Sequence, residues 1–411
     1  MPYNNSPTSY GSVTKTFHWL TALLILSAIP LGIIASNLAH GLRDPSITPD
    51  EATLQLTATL FSLHKTIGVS VFFVALARIL WAVSQPKPGL LNGDNAPEAW
   101  LAETVHWLLY GSLMAVPLTG WIHHAATTGF APIWWPFGQS LPFVPKNEHL
   151  AGFTSTLHYT LQWVLVGAVS LHIIGALKHH VVDGDATLRR MLPGYAPAQP
   201  TEQQPNHVLP FITALVIWAS ALGGASMLGW FAHSHAVVGD AAAAPELAQV
   251  ESDWQVEEGA LTISVRQMGS DVAGSFADWT ADISYDEAPD DIGRHGKVEV
   301  TIATTSLTLG SIGEQAKGAG YLAANTHPTA RFSADLMARG SGHMAVGTLS
   351  IRDQSVAVEM PFDLTINGDT ASASGTLSVD RRDFGIGADV KDEGSLGFAV
   401  EIAFELTATR Q

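Results

Sequence analysis

Five apolar stretches, at about residues 18–38, 62–84, 105–125, 157–177 and 209–232, punctuate the first part of this 411-residue chain. Each is close to the roughly 20 residues a helix needs to cross a hydrocarbon core about 30 Å thick. A backbone in lipid must satisfy its own N–H and C=O groups, so such stretches are expected as helices, giving five crossings. Beyond residue 235 the composition changes. Of the 37 acidic residues 27 lie there, with 11 of the 20 basic ones, so that part carries −16 of the overall −17. The acidity therefore describes the second part of the chain and not the membrane segments.

Histidine is distributed the other way, with 14 of 17 at or before His235. His18, His64, His158 and His172 each fall inside an apolar stretch. An imidazole in lipid is costly unless bound to something, and a neutral imidazole is a common metal ligand. Several together point to metal or haem ligation. The chain has no cysteine, which removes disulfides, iron–sulfur clusters, Cys-ligated zinc and covalent c-type haem. Bis-His ligation of non-covalent b-type haem is the economical reading.

Helix geometry agrees. The fourteen residues from His158 to His172 rise about 21 Å and turn through about 1400°, leaving both within roughly 40° of one face. One helix can therefore present a ligand toward each membrane surface. A lone histidine in a membrane helix often bonds only a backbone carbonyl, but four that pair by depth favour ligation, His18 with His172 and His64 with His158. His106, expected at the start of the third helix, fits a spare ligand, a proton-transfer group or a packed polar residue. His123, His124, His149, His179 and His180 lie near helix ends and suit interfacial or propionate contacts, and Met114 and Met227 suit packing.

Positive residues are retained on the cytoplasmic side. With a cytoplasmic N-terminus, Lys15, Arg78, Lys87, Lys178, Arg189 and Arg190 are inside, against Arg43, Lys65 and Lys146 outside. Five crossings then place the chain after residue 236 in the periplasm of a bacterium, with the bundle in the inner membrane. No A-x-A-like site ends the first stretch, which is read as a span and not a signal peptide.

The segments Thr16-Phe17-His18-Trp19-Leu20, Leu63-His64-Lys65-Thr66-Ile67-Gly68, and His158 to His172 followed by Lys178-His179-His180, Asp183-Gly184-Asp185 and Leu188-Arg189-Arg190-Met191-Leu192 resemble the bacterial cytochrome b561 family over about residues 10–195. The resemblance implies a four-helix bundle with two b haems, ligated by His18 and His172 (inner) and His64 and His158 (outer). It also implies electron exchange with ubiquinone and, in the small bacterial type, oxidation of periplasmic superoxide. Lys65 follows an outer ligand and is the candidate catalytic residue, able to pair a propionate or attract an anion, or else to snorkel. The loop Gly129-Phe130-Ala131-Pro132-Ile133-Trp134-Trp135-Pro136-Phe137-Gly138 is aromatic and stiffened by proline. Trp134 and Trp135 suit a wall for a quinone ring, or the ordinary interfacial belt.

From about residue 246 the chain reads as all-β. The runs 260–265, 297–302, 355–360 and 398–404 alternate with period two between Gly, Asn and Asp turns, as strands do. They suggest a closed barrel or a sandwich, and about eight strands in a barrel can hold one small ligand. Residues 201–235 hold the fifth helix and the Ala-rich residues 236–247 form a plausible linker to a barrel over 248–411. Gly274-Ser275-Phe276, His327-Pro328-Thr329-Ala330-Arg331-Phe332, Gly347-Thr348-Leu349-Ser350-Ile351-Arg352 and residues 379–387 resemble the YceI-like family. That resemblance implies a lipocalin-like barrel taking isoprenoid lipids, including the tail of ubiquinone. Gln267 stands where many members have a histidine, expected in the second strand. Phe276, Phe332, Phe362 and Phe384 are candidates to line the lumen or simply to fill the core.

The fold class expected is thus a multidomain membrane protein: an all-α bundle of four transmembrane helices plus a fifth, followed by an all-β lipocalin-like barrel. Gly223, Gly224, Ala225 and Gly229 permit close contact of the fifth helix with the bundle or in a homodimer, or the helix only anchors the barrel. Three functions fit: a superoxide-oxidising, ubiquinone-reducing enzyme with two haem b; a quinol-oxidising relay to a periplasmic acceptor; or a membrane-anchored isoprenoid-binding module. Membrane lipid, ubiquinone and superoxide are the expected partners, and no nucleic acid is expected.

Overall fold

A computed structural model describes residues 2–42, 50–127, 131–200, 208–231, 247, 252–310, 312–340 and 342–411. Arg43, Gly129, Phe130, His235 and the expected linker, apart from Leu247, lie outside the described residues. The helices preceding the sheet are α1 Ser12–Leu42, α2 Glu51–Val83, α3 Ala96–Ala126, α4 Glu148–Val181, α5 Thr187–Met191 and α6 Val208–Met227. All but α5 are long and apolar enough to cross a membrane.

Helices α1 to α4 outrun the apolar stretches at one end or both, because polar residues extend them without breaking them. At the start of α4 the Asn147 side chain accepts the Leu150 N–H at 2.8 Å, and Lys178, His179 and His180 occupy its last turn. A short polar cap and terminal cations are the groups that stabilise helix ends. As a result His64, His106 and His158 sit well inside α2, α3 and α4, where the apolar stretches alone suggested helix starts.

Two compact units result. The first joins most of the helical residues around Ile25 of α1, Val71 and Ala75 of α2, Leu113 and Val116 of α3, and Leu161 and Leu165 of α4. Helix α6 belongs to this unit and packs on the bundle, with Ala214 fully buried beside Leu108 and Ala168. A Cβ on Gly111 would lie 2.1 Å from the Trp218 ring. Glycine there admits the indole, whose Nε1 donates to Ser112 Oγ at 3.2 Å. Of the small residues expected to make this contact, Gly223 and Gly224 would meet nothing within 4 Å. Ala225 of the same group is buried, and a further close approach is made by a glycine on α3.

The second unit holds the strands β1 Trp254–Gln267, β2 Ser270–Phe276, β3 Trp279–Tyr285, β4 Arg294–Ala303, β5 Leu307–Leu309, β6 Thr329–Arg339, β7 Gly342–Ile351, β8 Gln354–Asn367, β9 Thr370–Asp380 and β10 Leu396–Arg410. They form one antiparallel sheet in the order β3-β4-β6-β7-β8-β9-β10-β1-β2-β5. The sandwich alternative is therefore corrected to a single curled sheet of ten strands. The long β1 pairs with β2 only from Leu261 onward, which leaves its first half to face β3. There Ser252 Oγ accepts the Ile283 N–H at 2.7 Å and donates to the Ile283 carbonyl at 3.1 Å, and Trp254 Nε1 donates to the Tyr285 carbonyl at 3.3 Å. Side-chain bonds thus tie the edge strand β3 to the start of β1. The region is not purely strand, since the short helix α7 Gly313–Lys317 interrupts it. Gln267 is the last residue of β1, not part of a second strand. Leu54, on the part of α2 that belongs to this unit, is buried in the same apolar core, and Gln55 Nε2 donates to Ser395 Oγ at 3.2 Å.

Candidate haem-binding residues and the barrel cavity

Helices α1 to α4 bring the histidines together in two groups. His64 of α2 and His158 of α4 have ring centres 6.1 Å apart. His18 of α1 and His172 of α4 have centres 5.9 Å apart. Metal–imidazole bonds of about 2 Å hold two ring centres on the order of 6 Å apart across one iron, so both pairs fit a bis-His haem. His158 and His172 share the uninterrupted α4, so the two groups lie about 21 Å apart along one helix.

The surroundings of the first pair fix its chemistry. His64 Nδ1 donates to the Ala28 carbonyl of α1 at 2.9 Å, and His158 Nδ1 donates to the Val116 carbonyl of α3 at 2.8 Å. With the proton held on Nδ1, the Nε2 lone pair of each ring is left for a metal, and the outer hydrogen bond raises its basicity. One turn beyond each carbonyl stands a glycine. A Cβ on Gly32 would come within 2.7 Å of His64 Cε1, and one on Gly120 within 2.9 Å of His158 Nδ1. Both helices thus bare their backbone where an imidazole must reach it.

The second pair is set differently. Arg78 Nη2 lies 3.4 Å from His18 Nδ1, and its guanidinium sits 5.7 Å above the centre of the Tyr110 ring. His106 joins this group, its ring centre 5.4 Å from that of His172. A fixed cation beside the ligand position matches the carboxylates that a b-type haem carries. These residues fit the group at both places.

Lys65 Nζ donates to His124 Nδ1 at 3.1 Å, and the other nitrogen of His124 meets Gln139 Oε1. The Trp134 N–H donates to Thr66 Oγ1 at 2.9 Å, which ties the aromatic loop to α2 directly beside Lys65. Trp135 packs edge-on to Trp121 with centres 5.0 Å apart, while the Trp134 side chain is exposed. The two tryptophans therefore differ, one being core and one open. His123, by contrast, is occupied by the Ala151 carbonyl at 2.8 Å.

Gly32, Gly120, Arg78 and the two carbonyls were not singled out by sequence. A faint signal exists, since Gly32 and Gly120 follow Pro30 and Pro117 within apolar stretches, and helix breakers grouped in a span mark a close approach.

In the second unit the curled sheet encloses two apolar lobes of about 150 and 120 Å³. Phe332 and Phe362 line the larger, Phe276 and Phe384 the smaller, and Ile302, Leu349 and Ile402 border both. All four phenylalanines singled out by sequence thus face a cavity.

A membrane helix bundle with paired histidines, joined to an antiparallel lumen-bearing sheet, defines a class of membrane electron carrier. The prokaryotic cytochrome b561 family model matches residues 9–194 and the YceI-like domain model matches residues 253–408. The chain is 30% identical over 196 residues to cytochrome b561 homolog 2 of Escherichia coli (strain K12), covering 47% of this chain and 95% of that one. It is 27% identical over 185 residues to the probable superoxide oxidase CybB of Yersinia pestis, covering 45% and 96%. The second part is similar to Burkholderia cenocepacia BcnA, at 27% identity over 38% of this chain and 100% of that one with a TM-score of 0.35, and to the Campylobacter jejuni YCEI protein, at 17% identity over 42% and 96% with a TM-score of 0.31. The chain belongs to the prokaryotic cytochrome b561 family and carries a YceI-like domain after its membrane helices. Its family implies b-type haem and membrane electron transfer.

Proposed function

We propose that this protein oxidises superoxide on the periplasmic face of the bacterial inner membrane and reduces ubiquinone, and that its barrel binds the isoprenoid chain of the quinone. The observation that carries this reading is the pair of imidazole groups at two levels of α4, each spaced for one iron. His18 and His172 hold the inner haem, His64 and His158 the outer one, and bound haem supplies one-electron transfer. Two superoxide anions each give up one electron and leave as dioxygen, while one quinone takes up the two electrons and two protons. The similarity to a probable superoxide oxidase supports this direction, and the excess of Lys and Arg on one side supports a cytoplasmic N-terminus.

The chain's own groups set the approach of the anion. The second part carries a net −16, which repels superoxide at a distance, but beyond about 8 Å physiological salt screens that field. Close in, Lys65 supplies the positive charge, next in sequence to His64 and held against His124. The open Trp134 side chain beside it offers a flat apolar wall for the quinone ring.

The same acidity favours a second reading, in which membrane quinol is oxidised and a cationic periplasmic protein takes the electrons. Stopped-flow spectra of the oxidised protein after a superoxide pulse test the proposal. Reduction of the haem bands within the mixing time supports superoxide oxidation. Bands that stay oxidised, yet reduce on addition of ubiquinol, support the relay.

A further inference from the structure

Of the 17 histidines only three stand after residue 235: His295, His327 and His343. The sheet brings two of them together. His295 on β4 and His343 on β7 have ring centres 5.7 Å apart, close to the separations within the two haem-ligand pairs. His295 is the extra residue of a bulge. Against β6, Arg294 pairs with Met337 and Gly296 with Leu336, which leaves His295 without an opposite number in that ladder. An added residue of this kind bends the strand and re-aims a side chain. The next residue keeps β3 close, since a Cβ on Gly296 would lie 1.9 Å from the Ser284 carbonyl oxygen. Both rings are held by stacking: His295 on Tyr285, with centres 5.2 Å and planes 9° apart, and His343 on Phe362, with centres 5.3 Å apart.

Each ring has one nitrogen engaged and one left. His295 Nδ1 donates to the Asp286 carbonyl at 2.9 Å, which leaves the Nε2 lone pair. In the tautomer in which His343 Nε2 donates to the Tyr285 hydroxyl at 3.1 Å, the Nδ1 lone pair is left. An outer hydrogen bond that fixes tautomer and ring orientation is the usual companion of a metal-bound imidazole. We propose that His295 Nε2 and His343 Nδ1 bind a divalent transition-metal ion of the zinc or copper class on the barrel. Imidazole nitrogens suit such ions, whereas Mg²⁺ and Ca²⁺ take oxygen ligands. Both histidines are half-buried, so water reaches the ion and fills the positions that the protein leaves open. The net −16 of the second part raises the concentration of cations near it. Tyr285 and Phe362 also line the larger lobe, so the ion sits next to the wall of that lobe. The assignment stands apart from whatever the lobe itself holds and from the haem ligands of the other unit.

The test titrates Zn²⁺ by calorimetry into the full-length protein in detergent, as wild type, His295→Ala, His343→Phe and Tyr285→Phe, with the haem absorption bands followed in parallel. His343→Phe keeps a ring against Phe362 but has no lone pair. The wild type should take up one equivalent of Zn²⁺ that His295→Ala and His343→Phe both lack, with the haem bands unchanged throughout. Tyr285→Phe keeps the stack on His295 and removes the hydroxyl, and it should bind that equivalent about 10- to 100-fold more weakly, as is usual when an outer partner is lost. Because an ion that binds only the folded state stabilises it, Zn²⁺ should raise the unfolding temperature of the barrel in the wild type and in neither histidine variant, and Mg²⁺ should raise it in none. The metal-free melts show which variants are folded, and either histidine variant alone suffices for the comparison. No uptake by the wild type, retention of the equivalent by a folded histidine variant, unchanged affinity in Tyr285→Phe, or an equal response to Mg²⁺ would overturn the site.

Discussion

The carbonyl of Val116 accepts the Nδ1 proton of His158 at 2.8 Å, and it can do so because Gly120, one turn further along α3, has no side chain to block the ring. The same relation recurs on α1, where Ala28 takes the His64 proton and Gly32 clears the way. Two helices that carry no ligand of their own pair, or only one, thereby orient the imidazoles of their neighbours.

Gly120→Val should therefore displace the His158 ring while leaving the helix in the membrane. Groups that orient a metal ligand typically carry 10- to 100-fold in affinity, so the haem between His64 and His158 should be lost on washing or bound that much more weakly. Haem retention after gel filtration checks this, with the His18–His172 haem as the internal control.

His106 stands next to His172 but is not needed as a ligand if His18 is opposite. His106→Leu should keep both haems. Its low-temperature absorption spectrum should retain both α-band components, with at most a shift in the one from the His18–His172 side. Loss of that component would transfer the ligand role from His18 to His106.

Arg381 is 2% exposed and ties five carbonyls of the β9–β10 connection and the start of β10. Arg381→Met removes every one of these bonds and leaves buried acceptors behind. A loss of about 3 kcal/mol or more is expected, read as a lower denaturant midpoint of the barrel's unfolding, while the haem spectrum stays as it is.

The Asp380 carboxylate accepts three side-chain hydrogen bonds from Arg382, with Nε at 2.9 Å from Oδ1 and 3.0 Å from Oδ2 and Nη2 at 2.5 Å from Oδ2, and these hold its pKa below the usual carboxylate range. A depressed acid stabilises the fold above its unfolded pKa of about 3.9 and loses that contribution as pH falls through the lower folded value. Asp380→Asn should cost under about 1 kcal/mol near neutral pH, since the pair is partly exposed. The difference from wild type should vanish in acid, as thermal melts at several pH values would show.

Much of this molecule was legible in its sequence because lipid imposes a length on every span and imidazoles inside such spans stand out. Helix ends were less legible. Glu148 and His149, and Lys178 to His180, are polar, yet they continue α4. Short strands such as Leu307–Leu309 were not legible, because they carry too few residues to show an alternation. The partners of His64 and His158 are backbone carbonyls, which leave no trace in a sequence except the glycines that expose them. The bonding of Arg381 to distant carbonyls arises only when β9, β10 and the connection between them come together.

The haem content of the purified full-length protein, measured as pyridine haemochrome per chain, bears most directly on the central claim. Two haem b per chain are expected, falling to one in His158→Ala, where the remaining haem is the one between His18 and His172. A colourless protein, or one that keeps both haems without His158, would contradict the paired-histidine account.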